Sequence, residues 1–174
     1  MSLRGWAQEA EAPVPAGGET LRTQILESTA AGLEFASDEE YPTVYGLVTE
    51  YRIGEHTASI VCLRDGTASL YTTSGFGILG GQAYDFVREA AVRCVKLAET
   101  HVGGSPSMKK HPLPAKGEVR FYFLTYDGLR MHRAKQADID DGSSSRVALY
   151  AAAQDVLVLL RHITEIQAER EAAK

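Results

Sequence analysis

The chain has 174 residues and a formal net charge of −5, with 44% hydrophobic and 24% charged residues. That length fits one domain, able to bury roughly two-thirds of the surface exposed by its unfolded chain. The acidic balance excludes a general binder of nucleic acid or of an anionic membrane surface, since both need a basic face. No apolar run approaches a membrane span, and Met1–Gly18 lacks a hydrophobic signal core, so a cytoplasmic protein is expected. Cys62 and Cys94 are too few for a disulfide framework and read as small reduced hydrophobes.

Residues Met1–Gly18 carry Ala, Glu, Pro and Gly with little pattern and read as a flexible tail, leaving residues 19–174 as a single α+β domain. From Glu19 to about Leu33, Leu21, Ile25, Leu26 and Leu33 mark the buried side of a helix, with Gly32 a weak point near its end. An acidic loop, Ser37-Asp38-Glu39-Glu40, and Pro42 precede a strand over Thr43–Ile53. Its alternation puts Tyr45, Leu47, Thr49, Tyr51 and Ile53 on one side, and Val44, Gly46 and Val48 on the other. Gly54-Glu55 turns it into His56–Arg64. Asp65-Gly66 is a two-residue hairpin signal into Thr67–Ser74, in a register that sets Val61 opposite Leu70 and Leu63 opposite Ala68.

A glycine-rich loop follows, Gly75-Phe76-Gly77-Ile78-Leu79-Gly80-Gly81, and then a helix with Ala83, Val87, Ala90, Cys94, Leu97 and His101 at helical spacing. The loop matches G-x-G-x-x-G between a strand and a helix. Its context is wrong for dinucleotide binding, because the strand belongs to an antiparallel hairpin and no strand ending in an acid follows about 20 residues on. Nor is there a Gly-Lys-Ser/Thr. The favoured reading is that the glycines permit positive φ and close packing. The other reading is a cradle for an anionic group, formed by Thr73, Ser74, Gly75, Gly77 and Gly80, with a cation from Lys109, Lys110 or Arg120.

Beyond a loop with Gly103-Gly104, Pro106, Pro112 and Pro114, Glu118–Tyr126 is the strongest strand signal, and Asp127-Gly128 turns it into Leu129–Lys135. Gln136–Ser145 reads as a polar loop that supplies a helix cap. Val147, Tyr150, Ala153, Leu157, Leu160 and Ile163 mark a last helix from about Arg146 to Arg170. The expected architecture is a five-stranded, mostly antiparallel sheet with three helices, in the order α-β-β-β-α-β-β-α.

No histidine or cysteine spacing marks a metal site, no cofactor is implied, and no residue stands out as a nucleophile with its base. The pattern therefore points away from an enzyme. The second hairpin sets Arg120 opposite Lys135 and Tyr122 opposite Arg133, so Arg120, Tyr122 and Arg133 form a candidate cationic patch for an acidic partner. Tyr45, Tyr51, Tyr71, Tyr122 and Tyr126 all fall in strands. If the helices cover one face of the sheet, tyrosines on the other suit a protein contact.

The segment Asp65–Tyr71, with the Gly75–Gly81 loop and Val87-Arg88-Glu89-Ala90-Ala91, resembles a family of small bacterial proteins of unassigned function. The element order is similar to that of class I type III secretion chaperones, and close to roadblock and profilin-like domains. The similarity to the secretion chaperones implies a small acidic homodimer that binds extended segments of a partner. The expectation drawn from the residues is likewise a non-catalytic, homodimeric protein-interaction module. The alternative is a small-ligand domain that binds a nucleotide or phosphate at the glycine loop.

Overall fold

The computed structural model describes residues 17–173; the tail expected over residues 1–18 lies outside these, apart from Gly17 and Gly18. Six strands form one antiparallel sheet: β1 (Val44–Ile53), β2 (His56–Leu63), β3 (Ala68–Thr72), β4 (Gly77–Ile78), β5 (Glu118–Thr125) and β6 (Gly128–Lys135). Their order is β4-β3-β2-β1-β5-β6. The helices are α1 (Gly18–Leu26), α2 (Asp85–His101), α3 (Gln136–Asp140) and α4 (Val147–Ala172).

The α+β class with an antiparallel sheet is as expected, but the counts of five strands and three helices are not. The extra strand, β4, comes from the glycine-rich loop. Gly75 has φ 88 and turns the chain back, so that Gly77 pairs with Tyr71 and Ile78 with Leu70. The extra helix, α3, is a single turn that directly continues β6, held by a bond from the Gln136 amide to Asp140.

The first predicted helix breaks in two. After Leu26 the Ser28 hydroxyl donates to the Ile25 carbonyl at 2.7 Å, and the Thr29 hydroxyl accepts from the Gly32 N–H at 3.1 Å. Such side chains compete with the helical ladder, and only a 3₁₀ turn, Ala31–Leu33, resumes.

Two registers also differ from expectation. In the β2–β3 hairpin Ile60 faces Leu70 and Cys62 faces Ala68, one residue away from the predicted pairing. The loop has three residues rather than two. The Leu63 N–H donates to the Thr67 carbonyl at 2.9 Å, and Gly66 takes φ 87 at the left-handed position. In the β5–β6 hairpin Tyr126-Asp127 form the turn, so Arg120 faces Arg133 and Tyr122 faces Met131. That two-residue shift keeps the predicted faces but changes every partner.

β1 carries a bulge. Val44 pairs with Thr125 and Gly46 with Leu124, leaving Tyr45 as the additional residue. The alternation therefore reverses there. Val44, Leu47 and Tyr51 share one core cluster, while Tyr45 and Val48 belong to the other. A Cβ on Gly46 would meet Leu63 Cδ2 at 2.6 Å and Leu124 Cδ1 at 2.9 Å, which explains why the bulge is followed by glycine.

Both faces of the sheet are covered. On the first, α2 and α4 lie against Leu47, Ile60, Leu70, Phe121 and Phe123. Cys62 and Cys94 meet there, and the Cys62 thiol is pushed well above its ordinary value by its hydrogen bond with Cys94 and by burial. On the second face, Ile25, Leu26 and Leu33 lie over Tyr45, Val48, Val61 and Tyr122. The connection between α2 and β5 closes the rest. The open tyrosine face expected from the sequence is thus covered, with Tyr45, Tyr71 and Tyr122 buried on it and Tyr51 buried on the first face.

Candidate functional site

The glycine loop is organised by its own bonds. The Thr72 N–H donates to the Phe76 carbonyl at 2.9 Å, and the Gly75 N–H to the Thr72 carbonyl at 3.1 Å. The Thr73 hydroxyl accepts from the Thr57 N–H at 2.9 Å, and the Ser74 hydroxyl lies 2.7 Å from that of Thr72. Gly77 is buried in the ladder with β3. Gly80, at φ 78, opens a 3₁₀ turn over Gly81–Ala83 rather than α2, which starts at Asp85. The carboxylate of Asp85 sits in the first turn of α2 and pairs with Arg88, so negative charge already stands at that positive end. Arg120 belongs to β5, and β3, β2 and β1 lie between it and β4. The fold gathers Thr73, Ser74, Gly75 and Gly77 at one hairpin tip and does not bring Arg120 to them.

Arg120 and Tyr122 come together on the second face, inside a buried polar cluster. The Arg120 Nη1 donates to the Pro112 carbonyl at 2.6 Å, and the Tyr122 hydroxyl donates to the same oxygen at 2.7 Å. Glu118 accepts from Arg120 Nη2 at 3.0 Å, and its other oxygen lies 3.7 Å from Arg133 Nε. The facing Arg120 and Arg133 are thus bridged by one carboxylate. Of the three residues expected to form a patch, only Arg133 is exposed.

Next to this pair lies a carboxylate that sequence reasoning missed. Glu50 Oε1 accepts from Arg22 Nε at 2.5 Å and from the Ser59 hydroxyl at 2.6 Å, and Oε2 accepts from Arg22 Nη2 at 2.8 Å. Arg22 Nη2 also donates to the His111 carbonyl at 2.8 Å. A signal existed: Arg22 falls on the apolar side of its helix beside Ile25 and Leu26, and Glu50 breaks an otherwise buried strand. Because Glu50 is fully buried, this network ties α1 and the α2–β5 connection to the sheet rather than presenting a reactive group.

A shallow groove of about 600 Å³ lies between the 3₁₀ turn and α2, lined by Glu34, Phe35, Asp38, Tyr41, Arg64 and Val92. The Arg64 guanidinium lies 4.5 Å from the centre of the Tyr41 ring and 5.8 Å from that of Phe35. It donates to the Ala36 carbonyl at 2.7 Å and the Tyr126 hydroxyl at 2.6 Å, and it pairs with Asp38. Hydrogen bonds from Arg64 and from the Tyr41 N–H hold the Asp38 carboxyl below its ordinary value. The arginine in the groove lining is therefore already committed to partners within the protein.

The outer side of α4 remains. Leu149, Ala153, Val156, Leu160 and Ile163 face the sheet, Leu157 and Leu159 are half-buried against the same core, and Val158 is 63% exposed between the exposed charges of Asp155 and Arg161. By length and composition this helix is long and apolar enough to cross a membrane, a test that core helices of soluble proteins also pass. The expectation of no such run is corrected on that point; Asp155 and Arg161 interrupt the run and masked it. Beside α4, Phe86 is exposed, with ring centroids 5.7 Å from Tyr84 and 6.5 Å from His162. Among the described residues, no three His, Cys, Asp or Glu side chains are grouped to hold a metal. No protein-family model, curated protein or solved structure matches this chain.

Proposed function

We propose that the chain is a non-catalytic protein-interaction module that acts as a homodimer, pairing through the outer side of α4. The carrying observation is Val158, 63% exposed in the middle of a long apolar helix whose inner side is already packed. A two-fold axis at Val158 would set its copies together and bring Asp155 of each copy across from Arg161 of the other. Such a surface is self-complementary, as an isologous contact requires. Exposed Phe86 would extend the apolar area.

Light scattering on the separated protein tests this reading. The expected result is a mass twice the 18.9 kDa of the chain, reduced to one chain by Val158→Glu without loss of helical signal. A wild-type protein that stays monomeric at every concentration would overturn it.

A further inference from the structure

Charge is distributed unevenly along the chain. Residues 103–135 hold seven Lys or Arg against two acids, an excess of five positive charges within a chain of net charge −5. Lys109, Lys110, Lys116, Arg133 and Lys135 are exposed. This basic stretch ends in β6, which is an outer strand of the sheet.

Half of that edge is already covered. The Met108 N–H donates to the Leu129 carbonyl at 2.8 Å, and the Met131 N–H donates to the Pro106 carbonyl at 3.0 Å. These bonds show that the odd-numbered residues of β6 aim their backbone groups away from β5. The N–H and C=O of Arg133 and the N–H of Lys135 therefore point outward, and among the described residues no backbone bond takes them. Open ladder groups of this kind accept another strand. Their side chains decide which strand: Arg133 and Lys135 repel a second copy of the same edge and attract carboxylates. Nucleic acid offers no N–H and C=O ladder to match.

We infer that β6 from Arg133 to Lys135 is a docking edge for an extended acidic polypeptide segment, which adds as a further strand and sets alternate carboxylates against Arg133 and Lys135. The inference rests on the chain being an interaction module and names its partner class.

The test is calorimetric titration with a short, capped peptide of alternating Glu and Val. Saturable binding is expected, with none for alternating Lys and Val. Replacing both Arg133 and Lys135 by Glu should weaken binding about tenfold or more. Lys135→Ala removes charge alone. Lys135→Pro also removes the outward N–H at a residue whose φ of −78 already suits proline, and should bind about fivefold more weakly than Lys135→Ala. Absence of binding to the wild type, equal affinities for the Ala and Pro variants, or an oligo-dT of equal charge that binds as tightly would overturn the docking edge. Peptide affinity should survive in Val158→Glu, so a failure of self-association and a failure of docking are read separately.

Discussion

The Nε of Arg22 lies 2.5 Å from Oε1 of Glu50, joining the first helix to the central strand where both side chains are withdrawn from water. Two charges in such a place are stable only together. Removing one leaves the other buried and unpaired. Glu50→Ala is therefore expected to cost about 3–5 kcal/mol of unfolding free energy, while Arg22→Met combined with Glu50→Leu should restore most of it. Urea denaturation of the two variants decides; a Glu50→Ala protein as stable as wild type would mean that the pair is not buried as described.

Gly81 is a packing residue. A Cβ there would lie 2.6 Å from Leu160 Cδ2, 2.9 Å from Val87 Cγ1 and 3.1 Å from the Ala68 carbonyl. Overfilling that junction of α2, α4 and β3 should cost about 1–3 kcal/mol in Gly81→Ala, seen as a lower thermal midpoint.

The Pro112 carbonyl holds the α2–β5 connection to the sheet through Tyr122 and Arg120. Tyr122→Phe deletes one of these donors and keeps the ring. The expected loss is about 1 kcal/mol, and backbone amides near Pro112 should exchange faster with solvent while those of β1 are unchanged. Uniform acceleration across the whole sheet would contradict a local anchoring role.

Glu118 supplies a pH signature. Burial raises its carboxyl, but hydrogen bonds from Arg120 and the Ala115 N–H, with the charges of Arg120 and Arg133, outweigh that and hold it below its ordinary 4.5. A depressed folded value means that the carboxylate stabilises the protein above pH 4.5, and that this share is lost as pH falls through the folded value. Wild type should lose thermal stability on acidification from about pH 5 to about pH 3, and Glu118→Gln should lose less over that window. Parallel curves for the two proteins would remove Glu118 from the acid response.

The strands were legible because β-branched and aromatic residues stand between strong turn signals, as in Phe121-Tyr122-Phe123 before Tyr126-Asp127-Gly128. Loop length was less legible. Asp65-Gly66 looks like a two-residue turn, and only the left-handed φ of Gly66 in a three-residue loop accounts for the shifted pairing. The glycine after the bulge at Tyr45 was not legible, because the Leu63 and Leu124 side chains that leave no room for a Cβ at Gly46 are distant in sequence. Covering of the second face was hidden for a similar reason. The connection that closes it has no periodicity, and is held by carbonyl oxygens that any residue type would provide. Of the candidate residues, the hairpin tip was readable as a glycine turn. The burial of Arg120 and Tyr122 was not, because it depends on Pro112.

The position of Glu50 bears on how the molecule folds. Its partners come from residues 22 and 59, and the same arginine leans on the carbonyl of residue 111, so the network closes only when amino-terminal, middle and later parts of the chain are all in place. A fragment ending before the α2–β5 connection would lack this carbonyl acceptor and also β5, the strand that pairs with β1. Assembly should therefore be all-or-none, with a single unfolding transition shared by every probe and no stable amino-terminal subdomain.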